Sequence, residues 1–192
     1  MRKSLYAIAP ITLLLMAASG TAQAAASGKI DITGNVSHGT CDVKMSHPAL
    51  NLGNYTASDF PSTAKTAVAG SERSFSVSLE NCTLSATAPV AGVAGLIVTG
   101  PTLPLDADVF NANDAATTGV QLKAGATVIS ANDKVDMVEF EGAAGGGTDA
   151  NVADINGQTQ TFTAALVANT GTPASITGGL VSTPIMFMYD YN

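Results

Sequence analysis

Two cysteines, Cys41 and Cys82, are the residues with the most definite chemistry in this sequence. The chain opens with an export signal, described below, and an even number of cysteines in an exported protein favours a disulfide. Closing the loop between them should stabilise the fold by about 4 kcal/mol in the chain-entropy treatment. A metal site is the alternative, but His38 and His47 are the only histidines and no Cys-x-x-Cys pair occurs. We expect a disulfide and neither a metal nor another cofactor.

The remaining ionisable residues do not form a catalytic set. The sequence contains no G-x-S-x-G, His-Glu-x-x-His or P-loop motif. His38 and His47 lie in turn-like segments, which favours solvated positions. Two acidic pairs have the residue type of glycosidase carboxylates: Asp106 with Asp108, and Glu139 with Glu141. Their alternate spacing is more simply the solvated face of a strand or loop, so we predict that the protein is not an enzyme.

A leader for export occupies the first residues. Arg2 and Lys3 precede an apolar run from Leu5 to Met16, and Ala22-Gln23-Ala24 forms a small-x-small cleavage site. This order is typical of a secretory signal peptide, and the run is short for a transmembrane span of about 20 residues. We predict a signal peptide over residues 1–24, with cleavage after Ala24 or one or two residues later.

The composition of the exported part limits its partners. Loss of the leader removes Arg2 and Lys3, so the formal net charge falls from −7 to −9. Nucleic acid and anionic membranes are poor partners for such a surface, and no later stretch is apolar for long enough to insert into a membrane. The length that remains suits one domain.

Alternating and apolar segments indicate the elements that must position these residues. A period of two, typical of half-buried strands, occurs in four segments: Lys29–Thr33, Arg73–Glu80, Gln158–Asn169 and Ile185–Tyr191. Apolar runs add Val93–Thr99, Val135–Phe140, and a hairpin of Val120–Leu122 with Thr127–Ile129. Convincing amphipathic helix patterns are missing after the leader. The pattern predicts an antiparallel β-sandwich.

The order of several short motifs points to a family. Gly28–Cys41 reads G-K-I-D-I-T-G-N-V-S-H-G-T-C, Leu50–Tyr55 reads L-N-L-G-N-Y, and Ser74–Cys82 reads S-F-S-V-S-L-E-N-C. Thr118–Leu122 reads T-G-V-Q-L, and the last segment has Gly179 and a penultimate Tyr191. This ordered set resembles the pilins of chaperone–usher fimbriae, particularly the type 1-like major structural subunit. The resemblance covers essentially the whole exported chain.

The resemblance implies an all-β fold with a gap. Such pilins have an incomplete immunoglobulin-like sandwich that lacks its C-terminal strand, and the resulting groove is completed by donor-strand exchange. A periplasmic chaperone first lends a strand, and the N-terminal extension of another subunit replaces it at an outer-membrane usher. The implied partners are therefore a chaperone, an usher and further pilin subunits in a head-to-tail homopolymer. The implied location is an extracellular fimbria on the bacterial cell surface, reached through the periplasm, where it supports cell adhesion.

The same resemblance assigns residues to the two sides of this contact. The donor-strand extension would be residues 25–36, ahead of a pilin domain at 37–192. Its groove-facing residues would be Ala26, Gly28, Ile30 and Ile32. The groove edge and chaperone contact would be Gly179, Ile185, Phe187, Tyr189 and Tyr191.

Some features depart from the pattern, and some alternatives stay open. Pro184 removes a backbone donor near the start of the last strand, and residues 135–155 match no family element as a whole. Ile30 and Ile32 could also belong to an ordinary first strand of a closed sandwich. The alternative function is a minor, adaptor or tip subunit that binds a host receptor directly, although one pilin domain uses the whole exported length.

Overall fold

The fold consists of two antiparallel sheets. The computed structural model describes residues 39–84, 92–140 and 152–191. Within these ranges there are ten strands: β1 (Gly39–Met45), β2 (Arg73–Leu84), β3 (Gly92–Thr99), β4 (Thr102–Leu103), β5 (Asp106–Phe110), β6 (Thr118–Ala124), β7 (Thr127–Ile129), β8 (Lys134–Phe140), β9 (Thr159–Ala168) and β10 (Met186–Tyr191). The described helical elements are short: α1 (Val152–Ile155) and 3₁₀ turns at Ala57–Asp59 and Pro173–Ser175.

The larger sheet has the strand order β1-β2-β9-β6-β5-β4, and β7 pairs with β6. Its inner strands β2 and β9 pair antiparallel from Arg73 opposite Ala164 to Ser78 opposite Thr159. In β2 the residues Phe75, Val77 and Leu79 are buried while the serines between them are not. This alternation arises because successive side chains of a strand point to opposite faces.

The smaller sheet has the order β10-β3-β8. The pairing of β10 with β3 is regular, from Met186 opposite Thr99 to Tyr191 opposite Ala94. Apolar residues of β3 alternate into the core, where Ala94, Leu96 and Val98 are fully buried. The two sheets enclose one main apolar core between their inner faces.

The predicted strands are confirmed wherever the structure describes them. The segments at 73–80, 93–99, 120–129, 135–140, 158–169 and 185–191 correspond to β2, β3, the β6–β7 hairpin, β8, β9 and β10. The predicted disulfide between Cys41 and Cys82 is also present. The strand predicted at Lys29–Thr33 lies outside the described residues.

One prediction about the acidic residues was wrong. Asp106 and Asp108 lie in β5, and the Lys65 ammonium forms ion pairs with both carboxylates. Their side chains are only 14% and 22% exposed, so they are not a freely solvated face. The partner comes from a loop more than forty positions earlier, which no local spacing could reveal.

Candidate functional site

The candidate site lies where an edge strand of each described sheet approaches the other. Among the described residues, β1 pairs only with β2 and β10 pairs only with β3, so each is an edge strand. The two strands come close in space: a Cβ added to Gly39 would lie 3.4 Å from the Tyr189 hydroxyl. No strand pairing joins β1 to β10 within the described ranges. A gap between two such edge strands is a place where a further strand could bind.

Three phenylalanines form an apolar cluster beneath this gap. Phe187 of β10 lies 4.9 Å from the ring of Phe162 and 5.8 Å from the ring of Phe75, between centroids. Phe75 and Phe162 are themselves stacked at 5.6 Å. Phe75 and Phe162 are buried, whereas Phe187 keeps part of its surface exposed. The cluster therefore connects the core to the edge of the site.

Four of the residues predicted for the groove edge alternate along β10 and the position just before it. They share one face but differ in burial. Ile185, just before the strand, and Phe187 are partly buried against the core, while Tyr189 and Tyr191 are buried within it. Burial, with smaller contributions from Tyr191 and Asp190, raises the pKa of the Tyr189 hydroxyl to about 12. Burial also raises the pKa of Tyr191. The exposed apolar surface is thus concentrated at the beginning of β10.

A second partly exposed apolar surface comes from the segment that follows β1. Leu50 and Leu52 pack against the core cluster but keep exposed surface. Between this segment and residues 176–183 lies an open cavity of about 670 Å³, and its apolar lining includes Leu50, Leu52, Val120 and Leu166. The cavity is several times the size of one side chain, so it can hold more than one apolar group.

Gly179 lies on the rim of this cavity. A Cβ added to Gly178 or Gly179 would meet no atom within 4 Å. The subunit's own packing therefore does not require glycine at either position. The neighbouring Leu180 is 87% exposed.

Residues 176–185, just before β10, form no regular secondary structure but are held by hydrogen bonds to the rest of the fold. The Thr177 amide donates to the Thr117 hydroxyl oxygen at 3.1 Å, and the Ala112 amide donates to the Ser182 carbonyl at 3.3 Å. A Cβ on Gly100 would lie 2.8 Å from the Pro184 carbonyl oxygen, so that glycine permits a close approach. Pro184 precedes the first residue of β10 and takes no place in its ladder with β3.

Comparison with known proteins identifies the family. A model of the fimbrial protein family matches residues 30–182, which is most of the chain. The chain belongs to the fimbrial protein family. A search of curated proteins finds no match.

Solved structures place this fimbrial protein in the pilin fold. The P pilus rod subunit PapA is similar with a TM-score of 0.50 and 16% identity, covering 86% of this chain and 100% of that one. A structure of a chaperone–usher pilus, described in connection with rod uncoiling, is similar with a TM-score of 0.52 and 16% identity, covering 88% and 98%. These likenesses, with the all-β architecture, confirm the predicted pilin fold.

In this fimbrial protein the disulfide ties the edge strand β1 to β2, because Cys41 and Cys82 lie on these neighbouring strands. The ladder shifts register between Thr40 and Asp42, beside Cys41. Asn81, with a φ of 50°, donates from its side chain to the Asp42 carboxylate at 2.8 Å. The edge strand β1 is thus held to β2 by a disulfide as well as by hydrogen bonds.

Several charged residues in the described part of this fimbrial protein take part in ion pairs. Hydrogen bonds to Asp106 and Asp108 raise the pKa of Lys65. Burial is the largest single influence and acts to raise the pKa of Asp108, but the hydrogen bonds to this carboxylate and the positive charge of Lys65 together outweigh it, so the pKa is lowered. His47 is exposed in a loop, as expected. Among the described residues, no group of three or more acidic, histidine or cysteine side chains could hold a metal ion, and no helix is long and apolar enough to cross a membrane.

The structure places only one side of the predicted contact. Ile185, Phe187, Tyr189 and Tyr191 lie along β10 or just before it and Gly179 lines the cavity, while the predicted donor residues Ala26, Gly28, Ile30 and Ile32, with His38 and Glu141, lie outside the described residues. Sequence reasoning missed the cavity wall formed by Leu50, Leu52, Ile176 and Val181. The leucine spacing in L-N-L was the one local signal that could have pointed to it.

Proposed function

We propose that this chain is a structural subunit of a surface fimbria that polymerises by donor-strand exchange. The observation that carries the proposal is the partly exposed Phe187 on β10, which pairs with one strand, β3, among the described strands. An exposed apolar edge of this kind is an aggregation hazard in a protein that acts alone. It is an advantage in a protein whose edge is covered by a strand from another chain.

The N-terminal extension has the features of such a covering strand. Ala26, Gly28, Ile30 and Ile32 alternate with polar or small residues, so a strand built from them would present one face to the groove. Seven residues in extended form span roughly 23 Å, which is enough to run along the six residues of β10. The isoleucines would cover the surface that Phe187 and Leu52 leave exposed.

A contact between the extension of one copy and the groove of another joins two different patches. Such an interface is head-to-tail and does not close on itself, so it extends into a filament. The donor-like N-terminal extension supports a place in the shaft rather than at a receptor-binding tip, since a distal tip needs no donor strand. We further propose that the chain is exported to the periplasm, that a chaperone covers the groove before assembly, and that an outer-membrane usher is the site of exchange.

Charge placed on one face of the extension tests the donor assignment. Changing Ile30 and Ile32 to Asp should abolish fibres, because each carboxylate would enter an apolar groove without a partner. The matched control changes Lys29 and Thr33 to Asp, which adds two carboxylates to the opposite face. Electron microscopy should show fibres for the control and none for the first variant. Normal fibres from the Ile30→Asp, Ile32→Asp chain would contradict the proposal.

Deleting residues 25–33 separates strand donation from strand acceptance. The shortened chain should still bind a peptide of residues 25–36, since its groove is intact, but should not polymerise. Size-exclusion chromatography with a labelled peptide measures both properties. Polymerisation of the shortened chain would refute the donor assignment. If cells that lack this chain altogether keep their fibres but no longer bind a receptor, a tip subunit would be favoured instead.

A further inference from the structure

An ion pair lies on the outer face of the smaller sheet, directly behind the groove edge. Asp190 stands between Tyr189 and Tyr191 in β10, and because their side chains point into the core, its side chain lies on the other face. Asp190 is nevertheless only 5% exposed. The Lys134 ammonium of β8 lies 2.9 Å from its Oδ2 atom.

This pair joins two strands that are not neighbours. Asp190 lies opposite Gly95 of β3, and Lys134 comes from β8 on the far side of β3. A Cβ on Gly95 would lie 3.2 Å from the Lys134 Cε atom and 2.5 Å from the Val135 carbonyl oxygen. The lysine stem therefore crosses β3 where Gly95 leaves room for it, and its ammonium also donates to the Val93 carbonyl at 2.9 Å.

The burial of the pair sets it apart from another lysine–carboxylate pair in the described chain. Its side chains are 22% and 7% exposed, whereas those of Lys44 and Glu80, at 3.3 Å, are 67% and 41% exposed. Exposed pairs contribute little to stability. Removal of one partner from a buried pair is far more disruptive, because the other charge stays buried without compensation.

We infer that Lys134 and Asp190 are positioning residues for strand acceptance, an inference that rests on the proposed function. Among the described strands, β10 has one backbone partner, β3, and the proposed function assigns its other edge to a donor strand. The tie from Lys134 holds β10 from behind and occupies none of the groove edge. It fixes the face of β10 that carries Phe187, Tyr189 and Tyr191 before the donor strand binds.

The expected effect follows from pre-organisation. A groove that is correctly formed in only a fraction of the molecules binds with an affinity reduced by that fraction. If removal of the tie leaves about one molecule in ten with β10 in place, the affinity for a donor strand falls about tenfold. The loss should come with faster amide hydrogen exchange in β10, while exchange in β2 and β9 stays unchanged.

The test uses the chain from residue 25 onward and a fluorescent peptide of residues 25–36 as the probe. Lys134→Met is compared with Lys123→Met, which removes the same charge from β6, a strand that does not border the gap. The double variant Lys134→Met, Asp190→Asn leaves neither charge and guards against misfolding of the single variant. Peptide affinity is measured by fluorescence anisotropy, and exchange of β10 by mass spectrometry.

The inference expects about tenfold weaker peptide binding and faster exchange in β10 for both Lys134 variants, with Lys123→Met like the wild type. Wild-type affinity in the double variant would overturn it. An equal loss in Lys123→Met would also overturn it, since the effect would then be one of net charge. If the peptide binds none of the chains, wild type included, the proposed function itself fails and the positioning role with it.

Discussion

Substitution of Phe187 by Ala should weaken strand binding in addition to destabilising the folded subunit. Phe→Ala at a fully buried site costs about 3–5 kcal/mol. Phe187 is only partly buried in the lone subunit, so we expect about 2 kcal/mol there, including loss of the ring contacts with Phe75 and Phe162. A bound donor strand covers the ring, and the full cost of about 4 kcal/mol then applies. The difference of about 2 kcal/mol corresponds to roughly thirtyfold weaker strand binding.

The neighbouring Met186 supplies the matched control. It lies on the opposite face of β10 and is 59% exposed, so Met186→Ala should change stability by less than about 0.5 kcal/mol and leave strand binding unchanged. Urea unfolding with and without a peptide of residues 25–36 measures both quantities for both variants. Equal effects of the two substitutions, or a Phe187→Ala subunit that binds the peptide as the wild type does, would refute the assignment of faces.

Three further predictions concern the residues that hold the fold around the site. Lys65→Met should lower the free energy of unfolding by about 1 kcal/mol, because Asp106 loses its ion pair. The difference from wild type should become smaller at high salt, and urea unfolding at two salt concentrations measures this change. The raised pKa of Tyr189 gives a contribution to the free energy of unfolding that is fully present below about pH 10. This contribution is lost progressively as the pH rises towards 12, because the Tyr189 hydroxyl ionises at a lower pH in the unfolded chain than in the folded one. Tyr189→Phe should remove part of this alkaline loss in thermal melts at pH 8 to 12, and an unchanged pH profile would contradict it. Replacing Cys41 and Cys82 together by Ser should cost about 4 kcal/mol, and a reduced wild type should match that variant.

The strands that could be predicted are those whose local pattern agrees with their final environment. Residues 73–80 alternate because one face of β2 is buried and the other is not, and the same holds for β10. The pair β4 and β5 escaped prediction because Thr102–Leu103 is too short for periodicity and Asp106–Phe110 begins with acidic residues. Their place in the sheet depends on β6, which lies later in the sequence.

The candidate site was predictable on one side only. The alternation in β10 predicts which residues share a face with Phe187, because the whole pattern is contained in six consecutive residues. The cavity wall at Leu50 and the tie between Lys134 and Asp190 depend on contacts between distant segments. The space at Gly95, through which that tie passes, has no local signature, since glycine in a strand has several possible causes.

The pairing of β10 with β3 also affects how fast the subunit folds. Tyr191 pairs with Ala94 and Met186 with Thr99, so the strand that borders the groove joins its sheet only after a very long loop has closed. Contacts of such high sequence separation form slowly, and apolar surface stays exposed to aggregation while they form. The yield of folded subunit should therefore depend on the concentration of complementing strand during refolding, and addition of the same strand afterwards should recover less.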